Sequence, residues 1–207
     1  VLEEAPQQGL ANNAESHRPL QLLALSAQSA QALDGMRANM VKFLGRSGNA
    51  RLSDVAYTLA VGRRKFAHRQ IVLGSDAEEA SAALAGDAPG RVFAGQVTGD
   101  ARPVTFMFSG QGSQYVNMGR ELYNAEPIFR AIVDQCLDTF KHILAIDLGA
   151  VLFVAEGSQA DGGVDINQTL VAQPLIFTIE YATAKLLERW GVRPDSMIGH
   201  SIGEYAA

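Results

Sequence analysis

The segment Met197-Ile198-Gly199-His200-Ser201-Ile202-Gly203-Glu204-Tyr205-Ala206-Ala207 carries residue types at a spacing suited to nucleophilic chemistry. It reads Gly-x-Ser-x-Gly, entered from an apolar run and left into a helix-forming run. At such a strand-to-helix turn the serine hydroxyl is pushed out of the backbone, where a substrate can reach it. Gly199 and Gly203 lack the β-carbons that would collide in so tight a turn. The helix start beyond Ser201 offers free N–H groups and a positive dipole end where an oxyanion would form. Ser201 is therefore the candidate nucleophile. A serine hydroxyl needs a base to act, and no residue of this chain is assigned that role.

A second motif, Gly110-Gln111-Gly112-Ser113-Gln114, follows the apolar run Val104 to Phe108. It lacks the Gly-Lys-Ser/Thr ending of a phosphate-binding loop. As a turn of exposed backbone N–H groups beside the elbow, it supplies a donor to pair with the N–H of Ile202 around a developing oxyanion. His200 adjoins the nucleophile, but sequence neighbours at a sharp turn point in different directions. A structural or substrate-contacting role suits it better than that of base. His17, His68 and His142 fall in a linker, at a strand start and on a polar helix side, and are expected at the surface. Cys136 lies in an apolar helical pattern and is expected to be a buried thiol. No His, Cys or Glu cluster has metal-ligand spacing. Arg63-Arg64-Lys65 reads as the cationic end of a helix capped by Gly62, with Arg63 and Arg64 also available to hold two units together.

These motifs need elements to hold them. The chain has 207 residues, is 47% hydrophobic and carries a formal net charge of -5, which fits a packed protein and argues against general nucleic-acid binding. No early apolar run resembles a signal peptide, and no run approaches the ~18 apolar residues of a membrane span, so the expectation is a cytoplasmic protein without membrane contact. Residues 1–19 read as linker. Residues 20–99 read as a small α+β unit. A strand over 20–25 is followed by a helix from Ser26 that presents Leu33, Met36, Met40, Phe43 and Leu44 and stops at Gly45. A helix from Ser53 or Asp54 buries Val55, Ala56 and Leu59. A strand follows over 69–73. A capping box at Ser75-Asp76-Ala77-Glu78 opens a third helix closed by Gly86. A last strand covers 92–97.

Gly99 to Pro103 separates this from a second unit over 100–207. A buried strand over 104–108 leads into the Gly-rich loop. One long helix then presents Phe129, Ile132, Val133, Cys136, Leu137, Phe140, Ile143 and Leu144. A polar loop spans 157–167. A further helix aligns Leu175, Ile179, Ala182, Leu186 and Trp190 and stops at Gly191. Ser196 to Ile198 is the strand feeding the elbow. Strand, helices, strand, elbow, helix is an α/β order.

The second unit resembles the malonyl-type acyltransferase domains of fatty acid and polyketide synthases. The resemblance rests on Gly110 to Gln114, on the pair Gln173-Pro174 opening a helix, and on Gly199-His200-Ser201-x-Gly203-Glu204, in family order and spacing. Residues 104–207 resemble the first third of such a domain, so an α/β-hydrolase-like core is implied. The small unit resembles the linker domain between ketosynthase and acyltransferase in modular type I synthases. Val1 to Pro6 is similar to the end of a ketosynthase. The departure is Ser109, where many relatives have proline; little consequence is expected.

The resemblance implies Ser201 as acyl acceptor, backbone N–H groups of Gln111 and Ile202 as oxyanion donors, and Gln173 and His200 as substrate-pocket residues. It places the histidine base and the arginine that pairs with the malonyl carboxylate beyond Ala207, so the 207 residues alone are expected to be an inactive piece of a longer polypeptide. Implied substrates are a coenzyme A thioester and the phosphopantetheine thiol of an acyl carrier protein, with no bound cofactor. Implied partners are that carrier protein, the ketosynthase and the rest of the acyltransferase domain. Ile202 after the nucleophile favours malonyl as extender. Two rivals remain: a serine esterase of α/β-hydrolase type, whose His-Gly-Gly-Gly loop is absent here, and a non-catalytic scaffold piece.

Overall fold

The computed structural model describes residues 18–46, 51–86, 88–99, 102–155 and 164–207. The chain divides into two compact units, 1–100 and 101–207. Residues 1–17, and with them His17, most of the expected linker and the ketosynthase-like end, lie outside the described residues, as do 157–163 of the expected polar loop.

The first unit is a three-stranded antiparallel sheet of β1 (Gln21–Ala27), β2 (His68–Gly74) and β3 (Val92–Gln96), with β2 central. Alternation sets the register. Leu23, Leu25 and Ala27 of β1 and Val72 of β2 point to one buried face, where they meet Leu44, Val55, Ala80, Ala83 and Leu84. These last come from α1 (Ala30–Arg46), α2 (Leu52–Val61) and α3 (Ala77–Ala85). Three expectations shift here. Ser26 does not start α1. It stays in β1, accepting the Phe66 N–H at 3.2 Å and donating to the Arg64 carbonyl at 3.1 Å. The cap belongs to Ser29, whose hydroxyl accepts from Ala32 N–H. Gly45 does not stop the helix, which runs to Arg46 with Phe43 left half exposed. The capping box sits one residue later than read: Asp76 caps Glu79 N–H at 2.8 Å, and Glu79, not Glu78, reaches back to Ser75 N–H at 2.7 Å. Gly86 closes α3 in the left-handed region, φ 110°. A cavity of about 890 Å³ between α1, α2 and β1, lined by Met36, Met40, Phe43 and Leu59, contains none of the candidate residues.

The second unit is α/β. Strand β4 (Thr105–Phe108) pairs in parallel with β5 (Ser196–Gly199), Phe108 opposite Gly199. Parallel pairing requires a long crossover. It is made by α4 (Arg120–Ala125), α5 (Pro127–Leu144), α6 (Leu148–Leu152) and α7 (Thr169–Arg189), before α8 (Gly203–Ala206) closes the chain. The core lies among these helices, with Phe129, Val133, Leu148, Leu152, Val171, Leu175, Ile179, Ala182 and Leu186. Phe106 and Phe108 turn from β4 onto Ala184 and Leu187 of α7, while Met107 between them is exposed.

The long helix of the sequence reading is α5, which opens on Pro127 at its first position; the short α4 before it was not read. Cys136 is only partly buried, and Ile143 is exposed. Helix α7 begins at Thr169, so Gln173-Pro174 lies in its second turn rather than opening it. Trp190 falls beyond the helix end and is half exposed. The short α6 had no signal in periodicity. It is fixed by Asp147, which caps Ala150 N–H at 3.1 Å, and by Asn117, whose N–H donates to Leu152 O and whose side chain holds Val154. Asn117 takes a left-handed conformation, φ 65°, which asparagine tolerates.

Candidate active site

The strand-to-helix turn is built at the end of β5. His200 N–H extends the β4–β5 ladder to Phe108 O at 3.1 Å, and the chain then reverses. Ser201 takes φ 56°, a left-handed conformation costing a non-glycine residue about 1–2 kcal/mol. Such strain persists where the surroundings over-determine the backbone. They do so here. A β-carbon on Gly203 would lie 2.6 Å from the carbonyl oxygens of both Phe108 and Ser109. One on Gly199 would run into the backbone of Gly203 and Glu204. The Ser201 side chain is exposed at the turn, and among the described residues its hydroxyl has no hydrogen-bond partner.

The Gly-rich loop and the turn interlock. A β-carbon on Gly110 would overlap Nδ1 of His200, so the imidazole lies against the loop. Among the described residues, neither Gln111 N–H nor Ile202 N–H donates to any acceptor. The Gln111 side chain instead donates to Thr169 Oγ1 at 3.2 Å and accepts from Gln173 Nε2 at 3.4 Å. Gln114 accepts from Gly112 N–H and donates to Asn167. The structure thus brings Gln111 and Gln173 together, and His200 and Gly110. His68 is partly buried on β2, and His142 is exposed on α5. Burial pushes the Cys136 thiol up, so little thiolate forms at neutral pH, as expected of a structural cysteine.

Sequence reasoning missed Glu180. Its Oε1 accepts from Ser109 N–H at 2.5 Å and from Ser109 Oγ at 2.7 Å, while its Oε2 is buried without a partner. Ser113 Oγ lies 2.9 Å from Ser109 Oγ and donates to Gly110 O at 3.0 Å. Ser109, expected to matter little, is thus the anchor of the loop. A signal was available: Glu180 is seven residues from Gln173, hence on the same helix face, in an otherwise apolar stretch.

The strand pair beneath the site is fastened at its far end. Val104 N–H donates to Asp195 Oδ2 at 2.7 Å, and Asp195 N–H returns to Val104 O at 2.7 Å. Among the described residues there is no cluster of His, Cys, Asp and Glu able to hold a metal, and no helix long and apolar enough to cross a membrane.

Residues 105–207 match the family described as acyl transferase domain, and residues 21–84 match a family described as CurL-like, PKS C-terminal. Over its whole length the chain is 39% identical to a subunit of the phenolphthiocerol/phthiocerol polyketide synthase of Mycobacterium tuberculosis, spanning 14% of that relative. The fold matches the acyl transferase domain of ZmaA with a TM-score of 0.85 at 39% identity, covering 92% of this chain and 44% of that one. It also matches the acyl transferase domain of SpnD, solved in complex with 2-(pent-4-yn-1-yl)malonyl, with a TM-score of 0.77 at 35% identity, covering 91% and 43%.

Proposed function

The chain belongs to the acyltransferase region of modular type I polyketide synthases, and from that membership we propose that Ser201 carries an extender acyl group between two thiols. Ser201 Oγ attacks the thioester carbonyl of an acyl-coenzyme A. The carbonyl oxygen becomes an oxyanion held by the N–H groups of Gln111 and Ile202. Collapse expels the coenzyme A thiolate, which leaves protonated, and the acyl-serine ester remains. The phosphopantetheine thiol of an acyl carrier protein then attacks that ester. The acyl thioester departs on the carrier and the serine regains its proton. Gln173 and His200 line the acyl pocket, Gln173 through its contact with Gln111. The base is a histidine of the same polypeptide outside these residues, and an arginine likewise outside them pairs with the carboxylate of the extender. No bound cofactor takes part. The setting is a cytoplasmic synthase in which ketosynthase and carrier protein are the working partners.

The observation that carries this reading is the left-handed Ser201, exposed at a glycine-locked turn, with the two unpartnered N–H groups of Gln111 and Ile202 in the flanking segments. The test uses an acyltransferase polypeptide that contains this chain and the rest of the domain. It is incubated with labelled malonyl-coenzyme A and examined by intact mass. The wild type gains one malonyl group and Ser201→Ala gains none. Loading retained by the Ala variant, with its fold intact, overturns the assignment.

Malonyl is the proposed extender, on the strength of the aliphatic Ile202. One methyl group in an apolar pocket is worth about 1–3 kcal/mol, so a preference of roughly 10- to 200-fold is the expected scale. Competition between malonyl- and methylmalonyl-coenzyme A measures it, and a preference for methylmalonyl reverses the choice.

A further inference from the structure

We propose that Glu180 is the positioning residue of the Gly110-Gln111 turn. Its carboxylate grips Ser109 and so keeps the Gln111 N–H in register with that of Ile202. The inference rests on the Ser201 acyl-enzyme reading above.

A carboxylate with one oxygen buried and unpartnered is unfavourable in a helix that otherwise packs apolar residues. What offsets that cost is on its other oxygen. Oε1 receives both donors of a single residue, Ser109 N–H and Ser109 Oγ–H. Hydrogen bonds to an ionised acceptor are roughly twice as strong as neutral ones. Two of them on one residue fix the place of Ser109 and the orientation of its peptide plane. Helix α7 is a rigid support for this, with Leu175, Ile176, Thr178 and Ile179 buried around the carboxylate's own turn.

Ser109 is also where the loop meets the elbow. Its carbonyl oxygen lies against Cα of Gly203, and the next residue, Gly110, lies against the His200 ring. The peptide after that carries the Gln111 N–H. On its far side the turn is held by side-chain amides, Gln111 to Thr169 and Gln173 at 3.2 and 3.4 Å, and Gln114, which accepts from Gly112 N–H at 2.8 Å and donates to Asn167 at 3.0 Å. A β-carbon on Gly112, at φ 113°, would meet nothing within 4 Å. Glu180 is therefore the near anchor of the donor. When it is removed, the polypeptide folds around the same core and the N–H drifts.

The experiment measures loading kinetics from malonyl-coenzyme A in the same complete acyltransferase polypeptide. Glu180→Ala is expected to lower kcat about 10- to 100-fold, less than or equal to the loss of an oxyanion donor, with KM within about twofold. Glu180→Gln keeps an oxygen acceptor in place and is expected to recover most of kcat. Ser109→Ala, which removes one donor of two, is expected to fall between. The double variant Glu180→Ala/Ser109→Ala is expected to be no slower than Glu180→Ala, because the hydroxyl bond is lost in both. Wild-type kcat in Glu180→Ala, a rise in KM with kcat held, or a loss that Glu180→Gln does not restore overturns the proposal. Should Glu180→Ala not fold by circular dichroism, Glu180→Gln and Ser109→Ala decide by the same kcat and KM criteria. Ser201→Ala separates the two readings. If it still loads, the acyl-enzyme reading fails. If it does not load while Glu180→Ala runs at the wild-type kcat, only the present inference fails.

Discussion

Gly203→Ala tests whether the elbow's shape, rather than its serine alone, sets reactivity. A β-carbon there stands 2.6 Å from the carbonyl oxygens of Phe108 and Ser109, where ordinary contact begins near 3.4 Å. Relief demands a shift of about 0.8 Å. The neighbours are backbone atoms of the Phe108-Ser109 segment, so no side chain can rotate away. Either α8 tilts from the strand end or the end of β4 moves. In both cases the distance between the Ile202 and Gln111 N–H groups changes by a large part of an ångström. Overpacking of this kind costs about 1–3 kcal/mol of stability. At about 2–4 °C per kcal/mol for a domain of 150–250 residues, the melting temperature falls by several degrees. The effect on chemistry is larger, since a misplacement of about 1 Å at a reacting centre costs on the order of 100-fold in rate. Loading from labelled malonyl-coenzyme A, at a temperature well below the melting transition, is expected to slow by about that factor. Wild-type loading by a folded Gly203→Ala variant would refute the claim that the two carbonyls and the elbow form one locked unit.

Gly35→Ala is the converse case: the position is exposed in the middle of α1 with nothing within 4 Å of a β-carbon, so the variant is expected to gain about 1 kcal/mol, read as a higher melting temperature. Asp147→Ala removes the cap of α6 and is expected to lose about 1 kcal/mol at pH 7 by chemical denaturation. The Lys141 ammonium and the Ala150 N–H hold the Asp147 carboxyl below its ordinary value, so its contribution is present above the unfolded-state value of about 3.9 and is lost as pH falls through the lower folded-state value. The gap between variant and wild type closes in acid, and a gap that persists there contradicts the capping account.

The legible parts of the fold were those written in side-chain periodicity. Leu23, Leu25 and Val72 alternate, and they are buried on one sheet face. Leu175, Ile179, Ala182 and Leu186 recur at helical spacing, and α7 buries all four. What was misread is decided by backbone bonding rather than by hydrophobicity. Ser26 has the composition of a helix cap but is engaged by Phe66 and Arg64, forty and thirty-eight residues away. Glu78 and Glu79 are equivalent in sequence, and only the register of β2 into α3 selects Glu79. The short α4 went unread, because its end is set by Glu126, which is extended before Pro127 at the start of α5.

The site divides along the same line. Gln111, Ser201 and Ile202 were marked as candidates by the glycines flanking them, and Gln173 by the family resemblance alone. Their geometric dependence on one another was not. Nothing in the spacing from Gly110 to His200 says that the imidazole fills the place of a missing β-carbon. Nor does the chain from Ser109 to Glu180, seventy-one residues apart, carry a local mark of their bonds. A glycine announces that something comes close, and the identity of what comes close is a tertiary fact. The same reasoning explains why Ser109 was undervalued. Taken alone, it is a small residue before a turn. Paired with Glu180, it is one of the points, with Thr169 and Gln173, at which helix α7 takes hold of the loop that bears Gln111.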